Sequence, residues 1–471
     1  MSGSTAARLF DPSSIRQFRF LSRRFDAARS AVVLEYALDD QVRFVEEIVF
    51  PGAVAPTGVA GREALARALE ALHLAAGVSY YKAAAPPQIQ VESGALSPSA
   101  AQFFGDLYLH GLGEFAYRNQ LDLADRLRFP SGSGEQRAVE LDLPRRTAVP
   151  IGGGKDSVVT LEALRSSGEP MVLFSVGDFE PIRATAERAG IRRLVVERRI
   201  SPRLLELNQA GALNGHVPVS AVIAFILVTA AVLYGFDSAA LSNEGSADEP
   251  ELVWKGRPIN HEYSKGLIFE QAADRLMSEE LLAGFRYFSF LRPLSELSIA
   301  ARFAELAAYH PIFRSCNAAF RLAPAGRARE WCGQCPKCRF VFLILAPFVA
   351  RARLVELFGA DLLSETAQSE GYAELLGFAD HRPFECVGGE RDSLAALALI
   401  VKRPEWQGAA ILERFRPHLP ADAAGARRLV REAMTPSDVH RVPERLHPAL
   451  SRLLATSMDD RERSLATLGT P

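Results

Sequence analysis

The sequence predicts an α/β protein built on a parallel sheet, and three observations carry that prediction. From about residue 146 to 245, apolar strand-like runs alternate with helical patterns. Those runs lack the in-out alternation of a sheet with one wet face, and a glycine-rich turn at residues 152–154 joins the first of them to a helix. Unalternating apolar strands separated by helices belong to a sheet covered on both faces. In such sheets ligands bind at the carboxyl ends of the strands.

The elements follow in order. Thr147–Ile151 reads as a strand and Lys155–Ser166 as a helix, with Val158, Leu161 and Leu164 on one face and Gly168 as its stop. Met171–Val176 is a second strand, Pro181–Ala189 a short helix closed by Gly190, and Arg193–Glu197 a third strand. A long apolar helix starts at Pro218, and Ser238–Ser242 is the last strand. Ahead of this region, Ala31–Leu38 and Val42–Phe50 pair as a hairpin around Asp39-Asp40, while Gly61–Leu74 and Ser99–Leu121 are helical. Pro130-Ser-Gly-Ser-Gly-Glu135 reads as a linker. The expected division is therefore an α+β domain over residues 1–135, a nucleotide domain over 146–358, and a mostly helical region over 359–471 with a charged tail from Met458. No internal repeat or low-complexity tract is evident.

Composition narrows the function classes. A chain of 471 residues, 48% apolar and 23% charged, is globular and long enough for about three domains. With 54 Lys+Arg against 56 Asp+Glu the net charge is −2, which gives no electrostatic case for binding nucleic acid. Five cysteines, an odd number, argue for a reducing compartment. The start, Met1 to Arg8, carries no apolar run, which argues against export and for a cytoplasmic protein. Val217–Phe236 contains no Asp, Glu, Lys or Arg over 20 residues and is long enough to cross a bilayer. Pro218 at its start, its place inside the strand-helix pattern, and the absence of a flanking basic cluster or aromatic belt argue instead for a buried helix.

The turn is Gly152-Gly153-Gly154-Lys155-Asp156-Ser157. Glycines let backbone approach an anion, a helix start offers unpaired N–H groups and the positive dipole end, and Lys155 and Ser157 add a charge and a hydroxyl. A nucleotide is the expected ligand; an ordinary unliganded glycine turn is the plain alternative. A Walker loop fails, because Asp156 follows Lys155 and Pro150 stands where its first Gly belongs. The dinucleotide fingerprint fails at Ser157, where it needs a third Gly. What remains resembles Ser-Gly-Gly-x-Asp-Ser, the loop of the ATP pyrophosphatase (PP-loop) superfamily, with Gly152 in place of the first Ser. That resemblance implies cleavage of ATP between the α and β phosphates and adenylation of a substrate oxygen. The strand ends at Asp178 and at Ser242-Asn243-Glu244 are then expected beside the loop, at places that hold adenosine and the metal–phosphate region. Asp178 has an alternative role as a helix N-cap.

Cys332-Gly-Gln-Cys335-Pro-Lys-Cys338 is a double C-x-x-C spacing, with Cys316 upstream as a fourth thiol. Four thiolates close a tetrahedral zinc site of the structural kind; an iron–sulfur cluster or free thiols are the competing readings. The same arrangement resembles the zinc site of the 7-cyano-7-deazaguanine synthases, themselves ATP pyrophosphatases.

Together with the loop and the cysteines, Ser79-Tyr-Tyr-Lys82, Ser242-Asn-Glu-Gly-Ser246, Trp254-Lys-Gly-Arg257, Asn260-His-Glu-Tyr-Ser-Lys265 and Glu385-Cys-Val-Gly-Gly389 resemble the MurL family of ATP-dependent UDP-N-acetylmuramoyl-L-alanyl-L-glutamate epimerases. The resemblance implies inversion of the terminal L-Glu of UDP-MurNAc-L-Ala-L-Glu, a peptidoglycan precursor, with ATP going to AMP and pyrophosphate through an acyl-adenylate, aided by Mg²⁺. For proton transfer the candidates are His261, Lys265, Tyr263 and Cys386. His261 titrates nearest neutral pH; its plain alternative is a half-buried histidine bonded to backbone. Lys265 suits phosphate or carboxylate binding, and Cys386 is the thiol left over if the other four hold metal. Rival readings are a nucleobase- or tRNA-modifying adenylating enzyme and a non-catalytic nucleotide sensor.

Overall fold

Ala31–Leu38 and Val42–Val49 form the expected antiparallel hairpin, with Asp39 at φ 47° in its turn. The computed structural model describes residues 10–134, 136–320, 328 and 330–468. The reading of Met1–Arg8 and the last linker residue, Glu135, lie outside the described residues.

Two compact units emerge, and both are discontinuous in sequence. One comprises the described residues through Arg146 with Val195–Ser238 and Val253–Tyr287; the other comprises Thr147–Leu194, Ala239–Leu252 and the described residues from Phe288 onward. This division differs from the three consecutive segments expected, because the chain passes between the units several times within the strand-helix region.

In the first unit a strand that the sequence pattern did not announce, Gln17–Asp26, pairs antiparallel with Ala31–Leu38 and parallel with Gln88–Val91. Val42–Val49 takes Glu197–Arg199 as its other antiparallel neighbour. Ala31–Leu38 is buried almost throughout, as a strand flanked on both edges and covered on both faces must be. The helix predicted at Gly61–Leu74 spans Val59–Ala76. The one predicted at Ser99–Leu121 is two, Pro98–Gly111 and Gly113–Arg118, broken at Leu112. Ser97 caps the first by accepting from the Ala100 amide at 3.1 Å; the break gives the second a fresh first turn, in which Glu114 sits.

The long apolar helix is Val219–Tyr234, with Gly235 at φ 69° just beyond it. Its expected place in the nucleotide domain is not where it lies: it belongs to the first unit and packs along Val59–Ala76, with Phe225 against Phe103 and Phe104 at ring distances of 5.6 and 5.5 Å. An all-round apolar helix is buried by whichever neighbours supply apolar faces, and sequence order does not choose them. Among the described residues no helix is long and apolar enough to cross a membrane.

In the second unit Thr147–Pro150 and Met171–Val176 pair in parallel, Thr147 opposite Met171 and Pro150 opposite Phe174. Ser238–Leu241 is the neighbour on the other side of Thr147–Pro150. Lys155–Ser166 and Glu180–Ala189 follow their strands as expected, the latter closed by Gly190 in the left-handed conformation. The boundary expected at 358 divides residues that here share one core. Leu397, Trp406 and Leu450, from the C-terminal helices, pack into the same cluster as Val158, Leu161 and Leu297. Glu390–Ile400 packs against Pro336–Leu345 and Glu296–Ala304, so C-terminal helices pack within the second unit's core.

Candidate active site

Each glycine of the loop has its own geometry. A side chain at Gly152 would meet nothing within 4 Å, so this backbone faces open space. Gly153 is at φ 77°, and a Cβ there would come 2.8 Å from Pro181 Cβ, so only glycine fits. Gly154 is the N-cap of Lys155–Ser166 and gives no side-chain cap, leaving the first helical N–H groups for an outside acceptor. The Arg314 amide donates to Gly153 O at 2.7 Å and fixes the loop from behind.

Lys155 is 4% exposed and ion-paired to both Asp156 and Glu296. Glu296 opens the helix Glu296–Ala304, whose cap is Ser295. Burial works to lower the Lys155 ammonium, but the two carboxylates outweigh it and hold it above its ordinary value. Burial, with the charges of Asp156 and Glu244, pushes Glu296 up to about 8. One ammonium thus stands among three carboxyl groups, of which Glu296 is driven toward its neutral form. Asp156 and Glu244 carry oxygens of the kind that a divalent cation takes as ligands. Ser157 Oγ donates to Gly154 O at 3.2 Å.

The 242–244 strand end is tied to the helix that follows the loop, and Asp178 is held by arginines of its own neighbourhood. Ser242 Oγ donates to Thr160 Oγ1 at 2.8 Å, tying the 242–244 segment to the helix behind the loop. Asn243 donates to Ser289 Oγ at 3.1 Å, and Glu244 O accepts from the buried Arg292 at 2.6 Å. Asp178 is not the helix N-cap: that position is Phe179, without a side-chain cap bond. Its carboxylate is instead held by Arg183 at 2.8 Å and Arg193 at 2.6 Å. Two nearby guanidinium groups outcompete a single amide for it.

Glu296, 141 positions from Lys155, carried no sequence signal of this role, nor did Arg292 or Arg314. The segment around Cys386 packs onto the same place. Arg382 donates to Gly388 O at 2.8 Å, and a Cβ on Gly388 would lie 2.7 Å from Glu296 Cγ. Cys386 is half-buried within that segment. Behind it, Asp392 is buried and pushed up to about 7, by burial first and by Glu296 next. An acid raised in the fold stabilises below its unfolded value and loses that contribution as pH rises through the folded one. Urea midpoints are therefore expected to fall between pH 5 and 8 more steeply for the native chain than for Asp392→Asn.

The four cysteines converge. Cys335 lies 3.5 Å from Cys338 and 3.9 Å from Cys316, Cys332 lies 3.6 Å from Cys338, and all four sulfurs fall within 4.8 Å of one another. A tetrahedral zinc with Zn–S bonds of about 2.3 Å sets its sulfurs about 3.8 Å apart, so the set fits such an ion. Hydrogen bonds from Cys335 and Cys338 pull the Cys316 thiol strongly down, and donating to Cys316 pushes Cys335 up to about 11. Cys316 follows Arg314 and Ser315 directly; the first bonds Gly153 and the second abuts Gly154.

His261 and Lys265 belong to the first unit, and the loop and Cys386 to the second. Lys265 pairs with Glu262 at 2.7 Å. Tyr263 faces His110, ring to ring at 5.1 Å. His261 Nδ1 is 2.6 Å from Glu114 Oε2, and the His216 ring lies 4.0 Å from the His261 ring. A carboxylate holds the histidine ring at Nδ1, and neither Glu114 nor His216 was marked in the sequence.

Comparison with known proteins decides the lineage. The MurL N-terminal domain matches residues 9–290 and the MurL C-terminal domain residues 312–429. The chain belongs to the MurL family. It is 43% identical over 438 residues to a UDP-N-acetyl-alpha-D-muramoyl-L-alanyl-L-glutamate epimerase of Xanthomonas oryzae pv. oryzae, covering 93% of this chain and 97% of that protein. Epimerases of the same name from a Micromonospora strain and from Salinispora tropica are 42% and 43% identical, covering 92% and 93% of this chain and 98% and 96% of theirs. In this MurL-family chain the N-terminal family domain spans both the glycine loop and the Glu114–His261 pair. The C-terminal domain spans the four cysteines and Cys386.

Proposed function

We infer that this chain inverts the terminal L-Glu of UDP-MurNAc-L-Ala-L-Glu in an ATP-dependent reaction that passes through an acyl-adenylate and releases AMP and pyrophosphate. MurL-family membership supports the epimerisation. The single observation that supports the ATP step is the glycine loop: a strand end and a helix start with free N–H groups, a buried lysine, and open space at Gly152. On this reading the loop is of the PP-loop kind.

The chemistry explains why ATP is consumed. Removing the α-hydrogen beside an ionised carboxylate would place a carbanion next to an existing negative charge. Adenylation cancels that charge, and the mixed anhydride withdraws electrons as an ester does. The α-carbon is then deprotonated to an enolate-like species, reprotonated on its other face, and the acyl–AMP is hydrolysed. In this scheme the 152–157 backbone and Lys155 hold the phosphates, and Lys155 neutralises the departing pyrophosphate once Glu296 releases it. Asp156 and Glu244 are the groups that would hold Mg²⁺, which would supply charge neutralisation to the phosphates. The cysteines would hold Zn²⁺ in a structural role. His261 carries the proton, with Lys265 and Cys386 as binding or second-carrier groups. The setting is the cytoplasm, where nucleotide-linked precursors and ATP meet.

The test is incubation with ATP and UDP-MurNAc-L-Ala-L-Glu in D₂O. AMP together with deuterium at the glutamate α-carbon is the expected result. AMP without deuterium would point to another acceptor, and deuterium without nucleotide would refute the acyl-adenylate.

A further inference from the structure

Cations around the glycine loop differ in what holds them. Lys155 is bracketed by Asp156 and Glu296, and Arg183 and Arg193 both grip Asp178. Arg314 is placed otherwise. Its side chain is 13% exposed, and the carboxylate it meets, Glu180 at 3.2 Å from Nη1, has a side chain 60% exposed. Arg314 Nε is buried and has no hydrogen-bond acceptor among the described residues. A buried donor without an acceptor is costly, and such a group in a native fold calls for a partner.

The position of Arg314 indicates what that partner is. Its amide donates to Gly153 O at 2.7 Å, and a Cβ on Gly154 would lie 3.4 Å from Ser315 Cβ, the next residue along. Glu180 opens the helix Glu180–Ala189, whose Pro181 abuts Gly153. Arg314 therefore links the loop after Thr147–Pro150 to the helix start after Met171–Val176, and those two strands pair in parallel. All of these residues belong to the second unit. The carboxyl ends of adjacent parallel strands are where such sheets bind ligands. Two readings of the arginine compete. As a brace it would pin the first turn of Glu180–Ala189 through its ion pair, but a pair with so exposed a carboxylate is screened by water, and Nε is left unexplained. As an anion-binding group it has a planar fork of donors that matches two phosphate oxygens at once, and an anion there would satisfy Nε as well. The second reading accounts for both observations.

We propose that Arg314 is a phosphate-binding residue of the glycine loop, its guanidinium taking oxygens of the same nucleotide phosphates that the loop amides and Lys155 hold. This rests on the ATP reading above. The two cations then divide the work. Lys155 must leave a carboxylate before it meets phosphate, whereas Arg314 brings a donor that no carboxylate occupies. Phosphate takes the place of Glu180, which swings into solvent at little cost because its side chain is already mostly exposed.

The experiment measures binding of ATP, AMP and pyrophosphate to the full chain by calorimetry, comparing the native protein with Arg314→Met, Arg314→Lys and Glu180→Gln. The bond from residue 314 to Gly153 is made by backbone, so every variant keeps the loop's backing. ATP affinity is expected to fall roughly 10- to 100-fold in Arg314→Met, the scale of a lost hydrogen bond to a charged group. Arg314→Lys, which keeps the charge but not the fork, should lose less. The loss should reappear with AMP if the arginine holds the α-phosphate, and with pyrophosphate if it holds the outer two. Glu180→Gln should leave ATP affinity unchanged or raise it, because a competitor for the guanidinium is gone. Native ATP affinity in Arg314→Met overturns the proposal. So does a loss in Glu180→Gln equal to that in Arg314→Met, which would mark a brace. If the native chain binds none of the three ligands, the ATP reading itself has failed; if it binds ATP and Arg314→Met binds it equally well, only the present inference has. Melting curves without ligand separate loss of fold from loss of binding. Should Arg314→Met melt far below the native chain, Arg314→Lys decides, and native affinity in that variant overturns the proposal.

Discussion

Asp156→Ala is expected to abolish pyrophosphate release while leaving the fold in place. Asp156 sits in the first turn of Lys155–Ser166 with its side chain 35% exposed, so its ion pair with Lys155 is partly screened and adds little to stability. Lys155 keeps Glu296 as a partner in the variant, so no buried charge is left without a counter-ion. What disappears is a partly exposed carboxylate beside the buried Lys155, a group that in the proposed reaction would help carry a divalent cation to the phosphates. Loss of a preorganised electrostatic contact at the reacting centre typically costs roughly 10²–10³ in rate, and loss of a cation ligand adds to it. AMP and pyrophosphate are to be measured at saturating substrate, alongside the melting temperature. Retained turnover would remove the loop from the mechanism.

Cys316→Ser should have the largest effect on stability and should reach the glycine loop as well. Cys316 is fully buried in the core of the second unit, and in the zinc reading its thiolate is one of four ligands. Breaking a closed structural metal site costs several kcal/mol, since metal binding and folding are one equilibrium. At about 2–4 °C per kcal/mol for a unit of this size, melting should drop by roughly ten degrees or more. The chain from 314 to 316 also backs the loop through the Arg314–Gly153 hydrogen bond and the Ser315–Gly154 contact, so ATP affinity measured by calorimetry should fall with metal content. A metal-free protein with unchanged melting and unchanged ATP binding would show the four thiols to be passengers.

The stretches that the sequence exposed most clearly are those where chemistry is local. Lys155–Ser166 and the Ala31–Val49 hairpin follow from period and turn residues, since neighbours in sequence satisfy their backbone groups, and Met171–Val176 follows from its unbroken apolar run. Gln17–Asp26 escaped notice because its charged residues, Arg19, Arg23 and Arg24, hide its alternation. Each of them meets a carboxylate from elsewhere in the chain: Arg19 that of Glu92, Arg23 that of Glu70 and Arg24 that of Glu35. Ser99–Leu121 was read as one helix because nothing in its composition marks the break at Leu112.

By itself the sequence determined the chemical inventory: a glycine turn that can cradle phosphate, four thiols at metal spacing, and a polar string containing His261. These depend on residue type and short spacing, which the chain fixes covalently. Only the tertiary structure decided the partners: Glu296 on Lys155, Glu114 on His261, Arg183 and Arg193 on Asp178, and Val219–Tyr234 in the first unit. A charge or an apolar face is neutralised by whatever complementary surface folding brings within a few ångströms, and that is a property of the packed chain, not of any segment.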